Sequence, residues 1–353
     1  MYILGINISH DSSSCLLKDG EIVFYREDER VSKLKHNSFV YQRPYPFTYY
    51  HIDDIKKHTT SIDHIFFASF GDPSYDRKII YYVLDQLKDA GIKWEQVIFN
   101  ENEHHFYHAS AAAFCSGFEE CACLIIDGSG AYPEWDEIPF REIESIYSFN
   151  ISSGFDKKFK HYSRLAKSNY HEFNVIKEND TTIAFSDSMG CGSLFSEFAF
   201  HLGYNSGYEA GKIMGLSSYG TYTDQYGKWF SYLEGVGITN TNLLYPLLNR
   251  IKFKSDKEQQ DILKTLQEET KSHTIYLIKK ALEVCNTNNI VLSGGYFLNC
   301  VNNYQYLKEF PEINFYVDPM SHDGGTAIGA AKYLWWDLTK DQTIRKLDTL
   351  YLG

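Results

Sequence analysis

Cys121-Ala122-Cys123-Leu124-Ile125-Ile126-Asp127-Gly128-Ser129-Gly130 is an apolar strand that runs directly into an acidic, glycine-rich turn. The N-terminus has a related shape. Residues 2–8 read as a strand and lead into the small, polar turn Asn7-Ile8-Ser9-His10-Asp11-Ser12-Ser13-Ser14. Strands over 13–18 and 21–27 follow, joined at Lys18-Asp19-Gly20, whose Asp-Gly pair suits a tight hairpin. Late in the chain, Ile290-Val291-Leu292-Ser293 is a short buried strand that Gly294-Gly295 turns into a helix carrying Asn299. Two strand-to-polar-turn units and a late strand–Gly-Gly–helix predict a duplicated α/β architecture, although no literal repeat is present.

Further elements fill in around these. Strands are expected at 62–68 and 96–99 around a helix near 77–90, with more strands at 143–150 and 313–317. Helices are expected near 191–203 and over 258–286, where Leu263, Leu266, Leu277 and Leu282 help form an apolar stripe. A last helix runs to about 336. The stretch 152–190, rich in Ser, Lys, Asn and Asp with weak periodicity, is expected to be an insertion or a mobile loop. The domain division that follows is an N-terminal lobe over 1–120, a C-terminal lobe over 121–340 and the start of a linker over 341–353. The alternating charges of residues 26–36 suit a solvated helix face.

The segment just before the second unit, Glu103-His104-His105-Phe106-Tyr107-His108-Ala109-Ser110-Ala111-Ala112-Ala113, carries the clearest chemistry. His104 and His108 are one helical turn apart and share a face, while His105 points away. Such pairs are more often surface or satisfied core residues than metal ligands, and a lone Asp in a turn is more often just a turn residue. Their joint occurrence with Asp323, in His322-Asp323-Gly324-Gly325, favours a metal. Two imidazoles and a carboxylate would leave coordination positions open for chemistry. The turns at Asp127-Gly128 and Gly294-Gly295 would let backbone N–H groups approach phosphate oxygens. Neither matches a Walker A loop or the Gly-x-Gly-x-x-Gly pattern.

Bulk properties set limits. The chain has 353 residues and a net charge of −12, with 43% hydrophobic and 16% aromatic residues. That is globular composition, and it argues against a tight, nonspecific grip on a long polyanion such as duplex DNA. The N-terminus has no signal-type segment, and no stretch of about 18 apolar residues suggests a membrane span. Seven cysteines without a Cys-x-x-Cys pair read as buried thiols in a reducing compartment, so a cytoplasmic enzyme is expected.

The order of motifs resembles the O-carbamoyltransferases of the NodU/CmcH type, which act in nodulation and antibiotic biosynthesis. The opening is carried by Gly5-Ile6-Asn7, His10-Asp11, Asp19-Gly20, Glu29-Arg30 and Lys35-His36. Next come His104-His105-x-x-His108-Ala109-x-x-Ala112, Asp127-Gly128 and Gly211-Lys212-x-Met214-Gly215-Leu216-x-x-Tyr219-Gly220. Gly294-Gly295-x-x-x-Asn299 and Asp323-Gly324-Gly325-x-Ala327-x-Gly329-Ala330-Ala331 close the set. More distantly the chain is similar to the enzymes that install threonylcarbamoyl groups on tRNA adenosine.

The resemblance implies an actin/sugar-kinase/Hsp70-like (ASKHA) fold, with two RNase-H-like lobes around a nucleotide cleft. It implies transfer of a carbamoyl group from carbamoyl-adenylate to a hydroxyl, the adenylate being made from carbamoyl phosphate and ATP by a YrdC-like domain or separate subunit. By the same resemblance His104, His108 and Asp323 hold a divalent metal, most readily Fe2+. Asp127, Gly128, Glu209, Lys212, Gly294, Gly295 and Asn299 attend the nucleotide. His10 and Lys35 face the carbamoyl group, His10 either as general base or to orient the carbonyl. The acceptor is a small molecule or nucleotide: a sugar, another natural product, or a hydroxymethylated pyrimidine in a nucleotide or DNA. A homodimer is compatible with all of this. Two other readings stay open, a non-catalytic nucleotide-binding subunit and a small-molecule kinase of the same fold.

Overall fold

The computed structural model describes residues 1–37, 48–69, 73–99, 103–131, 140–164, 173–204 and 209–349. They divide into two compact units: Met1–Glu120 with Phe149–Gly154 and Asp318–Gly353, and Cys121–Ser148 with Phe155–Val317.

In the first unit β1 (Tyr2–Asn7), β2 (Ser13–Lys18) and β3 (Glu21–Glu27) form an antiparallel meander, turned at Asp19 and Gly20, both with positive φ. Short helices α1 (Asp28–Ser32) and α2 (Ile52–Lys56) follow. Then β4 (Ser61–Ala68), α3 (Pro73–Asp89), β5 (Lys93–Phe99) and α4 (His104–Ser116) complete the run. The strand order is β3-β2-β1-β4-β5, with β1, β4 and β5 parallel. Alternation along the strands sends Leu4, Ile6, Leu16, Ile65 and Phe67 into a core with Ile79, Val83 and Leu87 of α3.

The second unit contains β6 (Glu120–Ile126), β7 (Phe140–Asn150), β8 (Gly154–Arg164), β9 (Phe173–Glu178) and β10 (Thr181–Ser186). Helices α5 (Cys191–His201) and α6 (Ala210–Ser217) come next, then the hairpin β11 (Phe230–Leu233) and β12 (Val236–Thr239). Helices α7 (Thr241–Arg250) and α8 (Asp256–Cys285) lead to β13 (Asn289–Ser293), α9 (Cys300–Glu309) and β14 (Asn314–Val317). A capping box between Ser255 and Glu258 starts α8. The sheet order is β14-β13-β6-β7-β8-β10-β9. Read from β8 to β14 it repeats the order of the first sheet, and β6, β13 and β14 are parallel as β1, β4 and β5 are. The expected duplication is therefore real at the level of topology.

The last helix, α10 (Thr326–Thr339), belongs to the first unit, where it packs on α4 and on β1, β2 and β4. This corrects the expected C-terminal lobe over 121–340. The reason is close packing of small residues. A Cβ added to Gly5 would lie 2.1 Å from the Ala327 carbonyl oxygen, and one on Gly329 would lie 1.9 Å from that of Tyr107. Beyond α10, Leu347 N donates to the Cys115 carbonyl at 3.0 Å and Arg345 pairs with Glu21 and Asp341, so 341–349 lie along this unit. Residues 350–353, the end of the expected linker, lie outside the described residues.

Two more expectations are corrected. The stretch 152–190 contains β8, β9 and β10 rather than loop, although 165–172 lie outside the described residues. Its polar side chains sit in a buried network: Lys160 pairs with Glu142 at 3.1 Å, and Glu144 meets His161 at 3.4 Å and His273 at 2.8 Å. The charged strip 26–36 is not one helix face. It is a strand end, the five residues of α1, and a turn in which Lys33 (φ 62°) and His36 (φ 55°) are left-handed. Of the cysteines, Cys300 is exposed and Cys285 half-buried, and the other five are buried. No helix among the described residues is long and apolar enough to cross a membrane.

Candidate functional site

Helix α4 owes its regularity to the alanine-rich run 109–113 and ends at Gly117 in the left-handed conformation. Its i, i+4 spacing sets His104 and His108 side by side, both buried, with their Nε2 atoms 3.2 Å apart. Asp323 enters from the bend before α10, where Gly324 and Gly325 allow a tight turn. A Cβ on Gly325 would lie 2.3 Å from the Met320 carbonyl oxygen. Its Oδ1 lies 3.4 Å from His104 Nε2 and 3.6 Å from His108 Nε2. Ligands at about 2.1 Å from one ion would be separated from each other by about 3.0–3.4 Å. The triangle of 3.2, 3.4 and 3.6 Å therefore fits a single divalent cation. Burial pushes the Asp323 carboxyl up, but His10 and His104 outweigh it and hold it well below the usual carboxylate range. The group is thus an anion ready to ligate. His105 is also buried, with its ring centroid 6.1 Å from that of His104.

The polar turn after β1 forms the next layer. Asn7 organises it, its Nδ2 donating to the carbonyls of His10 and Asp11 and its Oδ1 accepting from Ser9 N at 2.9 Å. Ser9 Oγ donates to Asp323 Oδ2 at 2.7 Å, and His10 Nε2 lies 3.3 Å from the same oxygen. His10 Nδ1 is 2.8 Å from Asp11 Oδ2, and Asp11 Oδ1 is 2.7 Å from His36 Nδ1. On the flank, His322 Nε2 lies 3.1 Å from Glu27 Oε1. Burial would lower the His322 pKa, but Glu27 and Asp11 raise it above its ordinary value. Lys35 is exposed in the turn beside His36.

Thus His10, His104, His108 and Asp323 come together. Ser9, Asp11 and His36 join them without having been singled out as site residues. The only sequence signals for these three were the polar turn itself and the motif neighbours His10-Asp11 and Lys35-His36.

The second unit holds the residues expected at a nucleotide. Asp127, at the end of β6, accepts at Oδ1 from Gly295 N at 3.0 Å, tying the two glycine-rich turns together. Gly294 has φ 97°, and a Cβ there would lie 2.3 Å from the Ile126 carbonyl oxygen, so only glycine fits. The Gly128 carbonyl accepts from Ser193 Oγ at 2.6 Å. Gly192 lets α5 approach this turn; a Cβ there would lie 2.7 Å from Gly128 N. Asn299 precedes α9 instead of lying within a helix. It caps α9 at Asn302 N and exchanges hydrogen bonds with Gln267. At the start of α6, Lys212 pairs with Glu209.

The model of the carbamoyltransferase N-terminus family matches residues 52–332. An uncharacterized protein of Synechocystis sp. is 26% identical over 410 residues, covering 100% of this chain and 60% of its own length. Nodulation protein NolNO of Sinorhizobium fredii is 24% identical over 368 residues, covering 98% of this chain and 49% of its own. The chain thus spans about half the length of the curated relatives it matches. Among solved structures, full-length HypF in its phosphate- and nucleotide-bound form has a TM-score of 0.56 at 13% identity, covering 96% of this chain and 56% of that one. HypF of T. kodakarensis has a TM-score of 0.57 at 12% identity, covering 97% and 49%. These likenesses show the fold, which is of the ASKHA type. With most of its length matched by the family model, and with the motif order described above, the chain belongs to the carbamoyltransferase N-terminus family.

Proposed function

We propose that this chain is the transferase part of an O-carbamoyltransferase that moves a carbamoyl group from carbamoyl-adenylate to an acceptor hydroxyl. The observation that carries the reading is the convergence of His104, His108 and Asp323 within 3.2–3.6 Å, with His10 3.3 Å from the same carboxylate. A carbamoyl carbon is a poor electrophile because its nitrogen donates into the carbonyl, so it must be joined to a good leaving group such as AMP. A divalent cation held by these three residues, most readily Fe2+, supplies Lewis-acid stabilisation of phosphate charge, an effect of several kcal/mol.

The protein's own groups do the rest. His10 takes the proton of the acceptor hydroxyl as its oxygen bonds to the carbamoyl carbon, and the bond from that carbon to the phosphate oxygen breaks to release AMP. Lys35 offsets the charge that gathers on the carbonyl oxygen. Gly128 and Gly294 offer backbone N–H groups to the nucleotide, in two turns held together by the bond from Gly295 N to Asp127 Oδ1. Asn299, Glu209 and Lys212 shape its surroundings. Carbamoyl phosphate and ATP are the ultimate donors, through a YrdC-like domain or subunit. Acceptors fall among sugars, related natural products and hydroxymethylated pyrimidine nucleotides, while the charge of −12 disfavours duplex DNA.

The test supplies carbamoyl phosphate, ATP and a carbamoyl-adenylate-forming protein together with a panel of hydroxyl acceptors, and weighs the products by mass spectrometry. Gain of a carbamoyl group by an acceptor, abolished in His104→Ala, supports the reading. Gain of a phosphoryl group, or nucleotide binding without any product, overturns it.

A further inference from the structure

Asp11 is placed to do more than balance charge. It follows His10 directly and has φ 57°, a left-handed conformation that non-glycine residues seldom adopt and that often marks function. In that conformation its carboxylate faces two imidazoles at once, His10 Nδ1 at 2.8 Å from Oδ2 and His36 Nδ1 at 2.7 Å from Oδ1. An ionised carboxylate can only accept, so both Nδ1 atoms must carry the hydrogen.

For His10 the consequence is a fixed tautomer. With Nδ1–H committed to Asp11, the nitrogen left for the acceptor is Nε2, on the side of Asp323 and 3.3 Å from its Oδ2. For His36 the consequence is a pinned turn. Its own N–H donates to Glu29 Oε2 at 2.9 Å, and the next residue, Asn37, accepts from Ser12 N at 3.0 Å. Lys35 is carried on that turn, between left-handed Lys33 and left-handed His36. One carboxylate therefore orients the ring of His10 and fastens the segment that bears Lys35.

We propose that Asp11 is the positioning residue of carbamoyl transfer: it holds His10 with Nε2 ready to accept the acceptor's proton, and through His36 it anchors the turn carrying Lys35. The inference rests on the transferase reading above. In the transfer step the hydroxyl proton moves to His10 Nε2, the Nδ1 hydrogen stays where it is, and Asp11 remains ionised, steadying the imidazolium that forms.

The experiment uses the full chain with its adenylate-forming partner and the best acceptor found. Asp11→Asn should lower kcat by about 10²–10⁴-fold, the range for losing a correctly oriented base, while the acceptor KM and the bound metal stay as in the wild type. His36→Asn, whose amide N–H can stand in for Nδ1–H, should keep most of the activity, and His36→Leu should lose it. Imidazole 15N NMR of the chelator-treated wild-type protein should show His10 in the Nδ1–H form, assigned by the signals lost in His10→Gln. An unchanged kcat in Asp11→Asn, equal activity in the two His36 variants, or a wild-type His10 in the Nε2–H form would each overturn the proposal. If the wild-type protein carbamoylates nothing, the transferase reading falls, while the NMR result still decides what Asp11 does to His10.

Discussion

At the scale of single residues, the convergence of the three proposed metal ligands was legible because each carries its own local signal. His104 and His108 have helical spacing and Asp323 has a glycine-flanked bend. Their second layer was not legible. Ser9 Oγ reaches Asp323 Oδ2 at 2.7 Å across 314 positions of sequence, and a serine in a polar turn looks like any other. The bond matters because groups that orient a ligating carboxylate commonly change metal affinity by about 10–100-fold. Ser9→Ala should therefore weaken metal binding by about that factor without unfolding the protein, as measured by competition with a calibrated chelator. Unchanged affinity would mean that Asp323 is held by its own bend alone.

At the scale of elements, the close contact of α4 and α10 brings the two histidines to the aspartate. Gly329 is the point of closest approach, where an added methyl would lie 1.9 Å from the Tyr107 carbonyl oxygen. Gly329→Ala should cost about 1–3 kcal/mol as the helices are forced apart, and it should lower metal affinity because the ligands sit on the two parts that separate. Urea unfolding and metal titration of the same variant check both effects. A stability loss with unaltered metal affinity would uncouple the helix contact from the site. Most strands and the long helix could be read from periodicity, but β8 to β10 could not. Lys160 and His161 on β8 look like loop residues by composition, whereas in the fold they are buried against Glu142 and Glu144. Paired burial of charge leaves no apolar pattern to detect.

At the scale of the whole molecule, the repeated strand order shows that the second unit rebuilds the first around a polar centre. Glu144 is its hub. Burial pushes its carboxyl up, but His273 and His161 outweigh burial and hold it far below its ordinary value of 4.5. A carboxyl depressed in the folded state adds stability above that ordinary value and loses it as pH falls further. Glu144→Gln should destabilise the protein at pH 7 by about 3–5 kcal/mol, as expected when a buried charge loses its partner. Its stability should also fall less steeply than that of the wild type between about pH 5 and pH 3. Parallel acid profiles for the two proteins would show that Glu144 is not ionised in the fold. The duplication was foreseeable from strand-to-turn patterns. The return of α10 to the first unit was not, because it depends on glycine and alanine contacts distant in sequence.

The central claim is that one cation is held by groups from α4 and from the bend before α10. Elemental analysis of the purified protein, loaded with Fe2+ without oxygen and desalted, tests it most directly. The account predicts one ion per chain in the wild type, and none in folded His104→Ala or Asp323→Ala. Equal metal content in the wild type and both variants would contradict it.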